Sequence, residues 1–257
     1  MTDRAQIRLR LATLNLRNLA DRWDERLPLL LADFGALQPD LIGLQEVVYP
    51  MQQDRLLGAA GASAYVARRG WAGRPEYGNA ILVRDALVAT LEPASATDRA
   101  DLGWDRSALR VELRLGAASL RFVATHLHHL AHDAAIRKEQ VGRLLTWLGD
   151  LPVTDATVVV GDFNAPPAEP AYTAMSAAGF RSGFLEAAGA EPEVTWPSGL
   201  RSEMPDVSGP AGCLDYVWLA GAVQATAARL CFDRPAVGDP TLYPSDHFGV
   251  AVEVTLP

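Results

Sequence analysis

Acidic, amide and imidazole side chains recur in this 257-residue chain directly after apolar segments. Glu46 follows the apolar run Leu41–Leu44, and Asp162 follows Thr157–Val160. Further candidates of this kind are Asn15, His126, Asn164, Asp215, Asp246 and His247. Carboxylate, amide and imidazole groups are the oxygen and nitrogen donors that suit a hard divalent cation and a phosphate ester. These residue types therefore predict metal-assisted hydrolysis of a phosphate ester.

Two strand–helix–strand units would position the two acids. In the first, the alternation of apolar and polar residues over Ile7–Leu14 predicts a half-buried strand, and a helix begins near Asp24 as a possible N-cap. In the second, Ser119–Thr125 predicts a strand and His132–Leu148 a helix. Each unit ends in a buried strand with an acidic residue just beyond it. We therefore expect two facing sheets with both acids at one rim.

The remaining apolar segments predict more strands, which are Tyr65–Arg68, Gly78–Arg84, Leu87–Leu91, Leu109–Leu115, Asp215–Leu219, Val223–Leu230 and Gly249–Leu256. Strand pairs that alternate with a few helices favour mixed, mainly antiparallel sheets. The expected fold class is α/β, a four-layer sandwich of two packed sheets flanked by helices. No linker or low-complexity run divides the chain, so we expect residues 1–257 to form a single catalytic domain.

Composition narrows the class of protein. Hydrophobic residues make up 49% of the chain, enough for a sizeable core, and the formal net charge is −8. An acidic total disfavours a dedicated tight nucleic-acid binder, because phosphate contacts need a basic face. The segment Met1–Arg4 lacks the apolar stretch of a signal peptide, and no run approaches a membrane span. We expect a cytoplasmic protein without an obligate protein partner, with Cys213 and Cys231 as buried free thiols.

Seven short motifs occur in a characteristic order. They are TLNLRN (13–18), GLQEV (43–47), YGNAIL (77–82), ATHL (124–127), GDFN (161–164), LDYVW (214–218) and SDHFGV (245–250). This series resembles the endonuclease/exonuclease/phosphatase superfamily over essentially the whole chain, from Leu11 to Val252. The segment Arg17–Arg26, followed by a leucine-rich helix, resembles the deadenylase-like bacterial branch. Each motif is weak alone, but GDFN with SDH and an upstream QE is a strong signal.

The resemblance implies a divalent metal site. Glu46 corresponds to the carboxylate that binds the metal, with Asn15 beside it and Asp246 close by. The expected ion is Mg²⁺, with Mn²⁺ as a substitute, because Mg²⁺ takes one or two carboxylates together with substrate phosphate oxygens.

The resemblance also implies catalytic roles. Asp162 corresponds to the carboxylate that positions or deprotonates the attacking water, and Asn164 to its amide companion. His247, held by Asp215, and His126 correspond to the two imidazoles that contact the phosphate. A carboxylate that accepts the N–H of His247 would favour its protonated form.

One position departs from the deoxyribonuclease branch, which uses a glutamate to hold the first imidazole. The aligned segment here reads Glu76-Tyr77-Gly78-Asn79, so Asn79 is the expected partner of His126. A neutral amide would raise the pKa of that imidazole less than a carboxylate does.

Three arginines are candidates for substrate binding. Arg106 stands where deoxyribonuclease-like members place a phosphate-contacting arginine, and Arg68 and Arg74 belong to a loop that also contains a tryptophan. The alternative for this loop is a solvated hairpin tip. Trp104 and Trp196 have the same two interpretations, cleft contact or core packing, and core packing is favoured for each.

Several alternatives stand beside the main prediction of a Mg²⁺-dependent phosphodiesterase with nucleic acid as one candidate substrate. The first is a phosphomonoesterase for a small phosphorylated metabolite, an inositol phosphate or a lipid headgroup, which the acidic charge fits equally well. A catalytically silent binding module should have lost a catalytic residue, and none is missing. A zinc site in the histidine cluster His126–His132 lacks ligands at the usual spacing.

Overall fold

Two six-stranded sheets face each other in the computed structural model, which describes residues 6–49, 51–59, 65–69, 77–203 and 209–257. The strands are β1 (Ile7–Asn15), β2 (Leu41–Val48), β3 (Tyr65–Arg69), β4 (Tyr77–Arg84), β5 (Arg99–Gly103), β6 (Arg106–Leu115), β7 (Ala118–His126), β8 (Ala156–Asp162), β9 (Arg181–Ser182), β10 (Asp215–Gly221), β11 (Gln224–Cys231) and β12 (Gly249–Leu256). The helices are α1 (Trp23–Leu37), α2 (Met51–Ala59), α3 (Asp85–Val88), α4 (Ala134–Gly149), α5 (Pro170–Ala177) and α6 (Gly183–Ala188).

The two sheets have matching strand patterns. The first has the order β11-β12-β1-β2-β4-β3 and the second the order β5-β6-β7-β8-β10-β9. Each contains one parallel pair, β1–β2 in the first and β7–β8 in the second, and the other neighbouring strands are antiparallel. A parallel pair requires a long crossover, which α1 and α4 supply. The prediction of mixed, mainly antiparallel sheets is confirmed.

Three apolar clusters separate four layers. Between the sheets lie side chains such as Leu11 and Phe122, which are fully buried. Leu30 of α1 packs on the outer face of the first sheet, and Val141 of α4 packs on the outer face of the second. The predicted sandwich with helices outside is therefore the observed architecture.

The sheets lie close together at Gly43 of β2. A Cβ atom there would lie 2.4 Å from Val160 Cγ2 and 3.0 Å from Ala124 Cβ, both in the opposite sheet. Only a residue without a side chain fits this spacing. Because Gly43 lies three residues before Glu46, this close contact sits directly beneath the predicted site.

Two local predictions are wrong. The segment Leu87–Leu91 is not a strand: α3 occupies Asp85–Val88, none of its residues is buried, and Leu91 forms only an isolated bridge with Leu113. Leu87 and Leu91 pack partly buried against the core between the sheets, so their apolar character reflects this packing and not strand pairing. The N-cap of α1 is Arg22 and not Asp24, which lies inside the first turn.

The cysteines and the helices agree with the remaining expectations. Cys213 and Cys231 are free and buried. Within the described ranges, every helix is too short or too polar to cross a membrane.

We expect Gly43→Ala to lower the free energy of unfolding by about 1–3 kcal/mol, because the new methyl group overpacks the space between the sheets. The matched control is Gly35→Ala on the exposed side of α1, where nothing lies within 4 Å of the added Cβ. That substitution should raise stability by about 0.5–1 kcal/mol, since alanine is the better helix former. Urea unfolding measures both, and equal stability of the two variants would contradict the close packing at Gly43.

Candidate active site

The two predicted acids come from different sheets and meet at one rim. The Asn15 amide at the end of β1 joins them: its Nδ2 donates to Glu46 Oε1 at 3.2 Å and to Asp162 Oδ2 at 3.0 Å. Asn15 is itself 1% exposed, so water cannot replace these bonds easily. The amide therefore couples the first sheet's carboxylate to that of the second.

Asp162 and Asp215 lie side by side at the ends of β8 and β10, where they are register partners. His247 binds Asp215 through Nδ1, 2.9 Å from Oδ2, and its Nε2 lies 3.7 Å from Asp162 Oδ2. Gly161 allows β8 to reach this position, because a Cβ there would lie 2.0 Å from the backbone oxygen of Thr125. The imidazole thus stands between two buried carboxylates.

Charge interactions in this buried group shift both pKa values. Burial alone would lower the pKa of His247, but the charges of Asp215 and Asp162 and the hydrogen bond to Asp215 raise it to about 10. Burial raises the pKa of Asp162 to about 7, against the opposing charge of His247. His247 is therefore a cation at neutral pH, beside a carboxyl group that titrates near neutrality.

His126 is the second imidazole of the site, and its pKa is shifted in the opposite direction from that of His247. Its Nε2 lies 3.5 Å from Asp162 Oδ2. Burial lowers the pKa of His126 well below its usual value, and the charges of Arg106 and His247 lower it further. Asp162 therefore lies between one charged and one neutral imidazole.

The predicted partnership of Asn79 with His126 is not observed. Asn79 Nδ2 donates to the backbone oxygen of Ser107 at 2.9 Å, and its own backbone oxygen accepts from the Tyr49 hydroxyl. The described residues show no hydrogen bond between the Asn79 and His126 side chains. The amide fixes the neighbouring strand β6 instead, because Ser107 lies at the start of that strand.

Glu46 reaches the cleft because β2 leaves its regular ladder there. Its φ is 55°, and the pairing of β2 with β4 shifts register between Leu44 and Val47. Such a bulge redirects a side chain at the end of a strand. Asn18 Nδ2 then donates to Glu46 Oε2 at 2.8 Å. The sequence alone gives no sign of this role for Asn18, although the residue lies within the motif TLNLRN.

Asp246 is held at the same rim from the opposite side. Arg17 Nη1 lies 3.5 Å from Asp246 Oδ2, and the Ser245 hydroxyl is 3.3 Å from Asp246 Oδ1. The same hydroxyl donates to the backbone oxygen of Asn15 at 2.6 Å. The loop that carries Asp246 and His247 is therefore docked on the end of β1.

The donor set fits a divalent cation. Glu46, Asp162 and Asp246 line the cleft, with Asp215 behind them, and this negative charge exceeds what Arg17 and His247 supply. Carboxylates that face solvent are the ligands Mg²⁺ prefers. Asn15 contributes its amide N–H groups here, because its oxygen accepts the backbone N–H of Arg17 at 2.9 Å. Asn15 is thus a support for the two carboxylates in this structure.

A second acidic group does not suit a metal. The ligand atoms of Asp162, Asp215 and His247 lie within 4.8 Å of one another, which would be close enough for one ion. His247 is protonated at neutral pH, however, and uses Nδ1 to donate to Asp215. A cation there would have to displace that proton, so Glu46 and Asp246, which are half-buried and line the cleft, are the better ligands.

A buried arginine hydrogen-bonds the backbone of the loop that follows β1. Arg26 of α1 is fully buried, and its pKa falls to about 10 because of burial, so it stays charged at neutral pH. Its guanidinium donates to the backbone oxygens of Leu16, Arg17, Asn18, Ala20, Asp21 and Pro244. This loop carries Asn18, and Pro244 precedes the loop of Asp246. One side chain therefore connects both sides of the rim.

The second strand–helix–strand unit also has a buried arginine that binds the carbonyl oxygens of a loop. Arg137 is the fourth residue of α4, as Arg26 is of α1. Its guanidinium donates to the backbone oxygens of His128, Leu130 and Ala131, and it pairs with Glu169 at 2.7 Å. The loop after β7 is thus fixed by a buried arginine in the helix that follows it.

The predicted substrate-binding arginines have different outcomes. Arg106 contacts His129, with Nη2 3.3 Å from Nδ1, and its Nε is buried without a partner among the described residues. Arg68 lies in the edge strand β3. Arg74 lies outside the described residues, so the arginine loop stays a prediction.

The structure also decides between the interpretations of the tryptophan and histidine candidates. The core-packing prediction for Trp104 is wrong, because this side chain is 62% exposed. Trp196 is buried, but it also lines the cleft, with its ring 6.4 Å from that of His247. His128 binds Asp133 at 2.8 Å and His132 points to solvent, so the described residues form no zinc-type cluster here.

One cleft is lined by the predicted site residues Asn15, Glu46, His126, Asp162, Asn164, Asp246 and His247. The model of the Endonuclease/Exonuclease/phosphatase family matches residues 12–247. The chain belongs to this family. Its members are metal-dependent phosphoesterases, and the chain is an enzyme of this class. No curated protein sequence matches it.

Solved structures with the same fold span nearly the whole chain. D. rerio TDP2 complexed with a single-strand DNA product has a TM-score of 0.77 and 19% identity, and the match covers 96% of this chain and 98% of that chain. The human Nocturnin catalytic domain with a bound sulfate anion has a TM-score of 0.75 and 22% identity, over 98% and 97%. A Bacteroides vulgatus family member has a TM-score of 0.75 and 18% identity, over 98% and 100%.

We expect the stability of the metal-free protein to fall as pH rises from about 6.5 to about 10, because the pKa of His247 is raised on folding from 6.5 to about 10. This contribution is complete below the unfolded pKa and is lost as the folded imidazole deprotonates. Asp215→Asn should bring the pKa of His247 down, as NMR titration of its imidazole would measure. An imidazole that deprotonates near pH 6.5 in the unmutated protein would contradict the arrangement.

Arg26→Lys should lower the free energy of unfolding by about 2–4 kcal/mol, because an ammonium group cannot satisfy all of the carbonyl oxygens that the guanidinium binds. Hydrolytic activity should fall as well, since the loop that carries Asn18 loses its support. The control is Arg143→Lys in α4, where an exposed ion pair with Glu139 predicts a change within about 0.5 kcal/mol. Urea unfolding compares the two variants, and equal effects would refute the role of Arg26.

Proposed function

We propose that this protein is a Mg²⁺-dependent phosphodiesterase that cleaves its substrate by in-line attack of water. The observation that carries the proposal is the position of Asp162, whose carboxylate lies 3.5 Å from His126 and 3.7 Å from His247. A base between a neutral and a charged imidazole stands where an attacking water and an anionic phosphate can be held together.

Asp162 accepts the proton of the attacking water. Burial raises the pKa of Asp162, which makes its carboxylate a stronger base than that of an exposed aspartate. Its orientation is fixed by the Asn15 amide on Oδ2 and by the backbone N–H of Asn164, 2.8 Å from Oδ1. The Asn164 side chain is anchored on the backbone oxygen of Leu127 and lines the cleft beside the base.

The two imidazoles bind the phosphate. His247 is protonated and neutralises charge that develops on the non-bridging oxygens, while Asp215 holds its ring in place. His126 remains neutral and contributes an N–H hydrogen bond. A neutral donor next to a cation avoids the repulsion that two imidazolium rings would have in this buried site.

Glu46 and Asp246 would hold Mg²⁺, with Asn15 and Asn18 orienting the Glu46 carboxylate. The ion, when bound, neutralises charge on the leaving oxygen and on the phosphate. Mn²⁺ is expected to substitute, because it accepts the same oxygen ligands.

Nucleic acid is the proposed substrate class. Arg106 has no acidic partner among the described residues and lies against His129, at the side of the cleft. The related TDP2 structure was obtained with a single-strand DNA product, which supports this choice. Arg68 and Arg74 are proposed as further phosphate contacts. The alternative, a phosphomonoesterase for a small phosphorylated metabolite, inositol phosphate or lipid headgroup, fits the net charge of −8.

Asp162→Ala and His247→Ala should each reduce hydrolysis by about 10²–10⁴-fold or more while the fold survives, because each removes a group that acts on the reacting atoms. Nicking of supercoiled plasmid and hydrolysis of methyl p-nitrophenyl phosphate measure the loss, with Mg²⁺ and with EDTA. Circular dichroism checks the fold.

The outcomes separate the alternatives. Activity on p-nitrophenyl phosphate but on no diester would favour the phosphomonoesterase. Activity that survives EDTA or either substitution would show that the assigned groups do not carry the reaction.

A further inference from the structure

An exposed tryptophan stands at the tip of the β5–β6 hairpin, at the side of the active-site cleft. Trp104 is 62% exposed, and Gly103 pairs with Arg106, so Trp104 and Asp105 form a two-residue loop. The same hairpin therefore presents a large aromatic ring and, two residues later, a cation.

This hairpin tip is unfavourable for stability. Trp104 has a φ of 57° and Asp105 a φ of 54°, a left-handed backbone for which asparagine and glycine are preferred. A bulky residue in this conformation is strained, and an exposed indole ring adds a second cost. The apolar clusters of the described residues do not include Trp104, so core packing among them offsets neither cost. Strained residues of this kind point to binding sites.

A row of rings leads from this tryptophan into the cleft. The Trp104 and His128 ring centres lie 5.7 Å apart, and those of His128 and His129 lie 5.3 Å apart. His128 is fixed by Asp133, and Gln140 accepts its backbone N–H at 2.8 Å. His129 lines the cleft. His128 is therefore held in position before any substrate arrives, and it supports the exposed ring on each side of it.

Arg106 connects this row to the catalytic groups. Its guanidinium lies 3.3 Å from His129 Nδ1, and its charge contributes to lowering the pKa of His126. A cation beside the phosphate-binding imidazole and an aromatic surface just outside it match one repeat of a nucleic-acid strand, with its phosphate and its base.

We infer that the exposed rings of Trp104 and His129, supported by the buried ring of His128 between them, form a stacking surface for a nucleobase next to the cleaved phosphate, and that the substrate is single-stranded nucleic acid. The inference rests on the proposed phosphodiesterase function and narrows its substrate. A duplex would keep its bases paired, whereas an unpaired base presents its face to the rings. Stacking is tolerant of sequence, because every base has such a face.

The test compares two substrates of equal charge. One is a short single-stranded oligonucleotide, and the other has the same backbone with abasic sugars throughout. Trp104→Asn removes the ring and suits the left-handed turn, since asparagine tolerates that backbone. We expect this variant to raise KM for the oligonucleotide by about 5–100-fold, the usual effect of losing one stacked base, and kcat to change less. Trp104→Phe should restore most of the affinity.

The abasic strand identifies the cause. The unmutated enzyme should bind it about 5–100-fold more weakly than the oligonucleotide, and Trp104→Asn should discriminate between the two strands much less than the unmutated enzyme does. Val237→Ala removes another exposed apolar side chain and serves as the control. Equal KM values of the unmutated enzyme for both strands, or an unchanged KM in Trp104→Asn, would overturn the stacking surface.

Failure of the inference differs from failure of the proposed function. Hydrolysis of methyl p-nitrophenyl phosphate without cleavage of the oligonucleotide would overturn the nucleobase surface and leave the phosphodiesterase standing. Absence of both activities, with Mg²⁺ or Mn²⁺ present, would overturn the two together.

Discussion

Concentrated negative charge at one rim of the sandwich is the constraint on which the site depends. Asp162 and Asp215 are buried as register partners, where water cannot screen their repulsion. The imidazole of His247 stands between them and takes up a proton to balance the charge. Asn15 supplies N–H groups to the carboxylates of both sheets. The negative charge that these groups do not balance belongs to the carboxylates that line the cleft. This remaining charge suits the rim to bind a divalent cation.

Two buried arginine side chains hold the irregular loops around these carboxylates. Arg26 and Arg137 stand at the same position of two equivalent helices and bind the carbonyl oxygens of the loops before them. A buried loop has backbone groups that a strand or helix would normally satisfy. A guanidinium can satisfy several at once, which lets the loops after β1 and β7 keep shapes that place side chains at the rim. The charges of Arg26 and Arg137 therefore support the backbone of the loops whose side chains form the site.

The regular strands that carry the site can be predicted from the sequence, but the bulge and the loops cannot. Glu46 and Asp162 could be placed at one rim because buried strands have a readable pattern and a fixed direction. The bulge that turns Glu46 outward, with its φ of 55°, has no such pattern. The use of Asn79 by a strand backbone, and of Arg26 by loop carbonyls, depends on partners distant in the chain. The exposure of Trp104 was missed because the β5–β6 hairpin lacks the usual turn residues.

The spacing of the two sheets sets the distance between the two halves of the site. Glu46 belongs to one sheet and Asp162 to the other, and Gly43 lets the sheets touch just beneath them. A core position with no access to substrate thus acts on the geometry of the reaction. A change in the volume of side chains between the sheets would therefore widen or narrow the site for a different substrate. The residues of the cleft would not have to change.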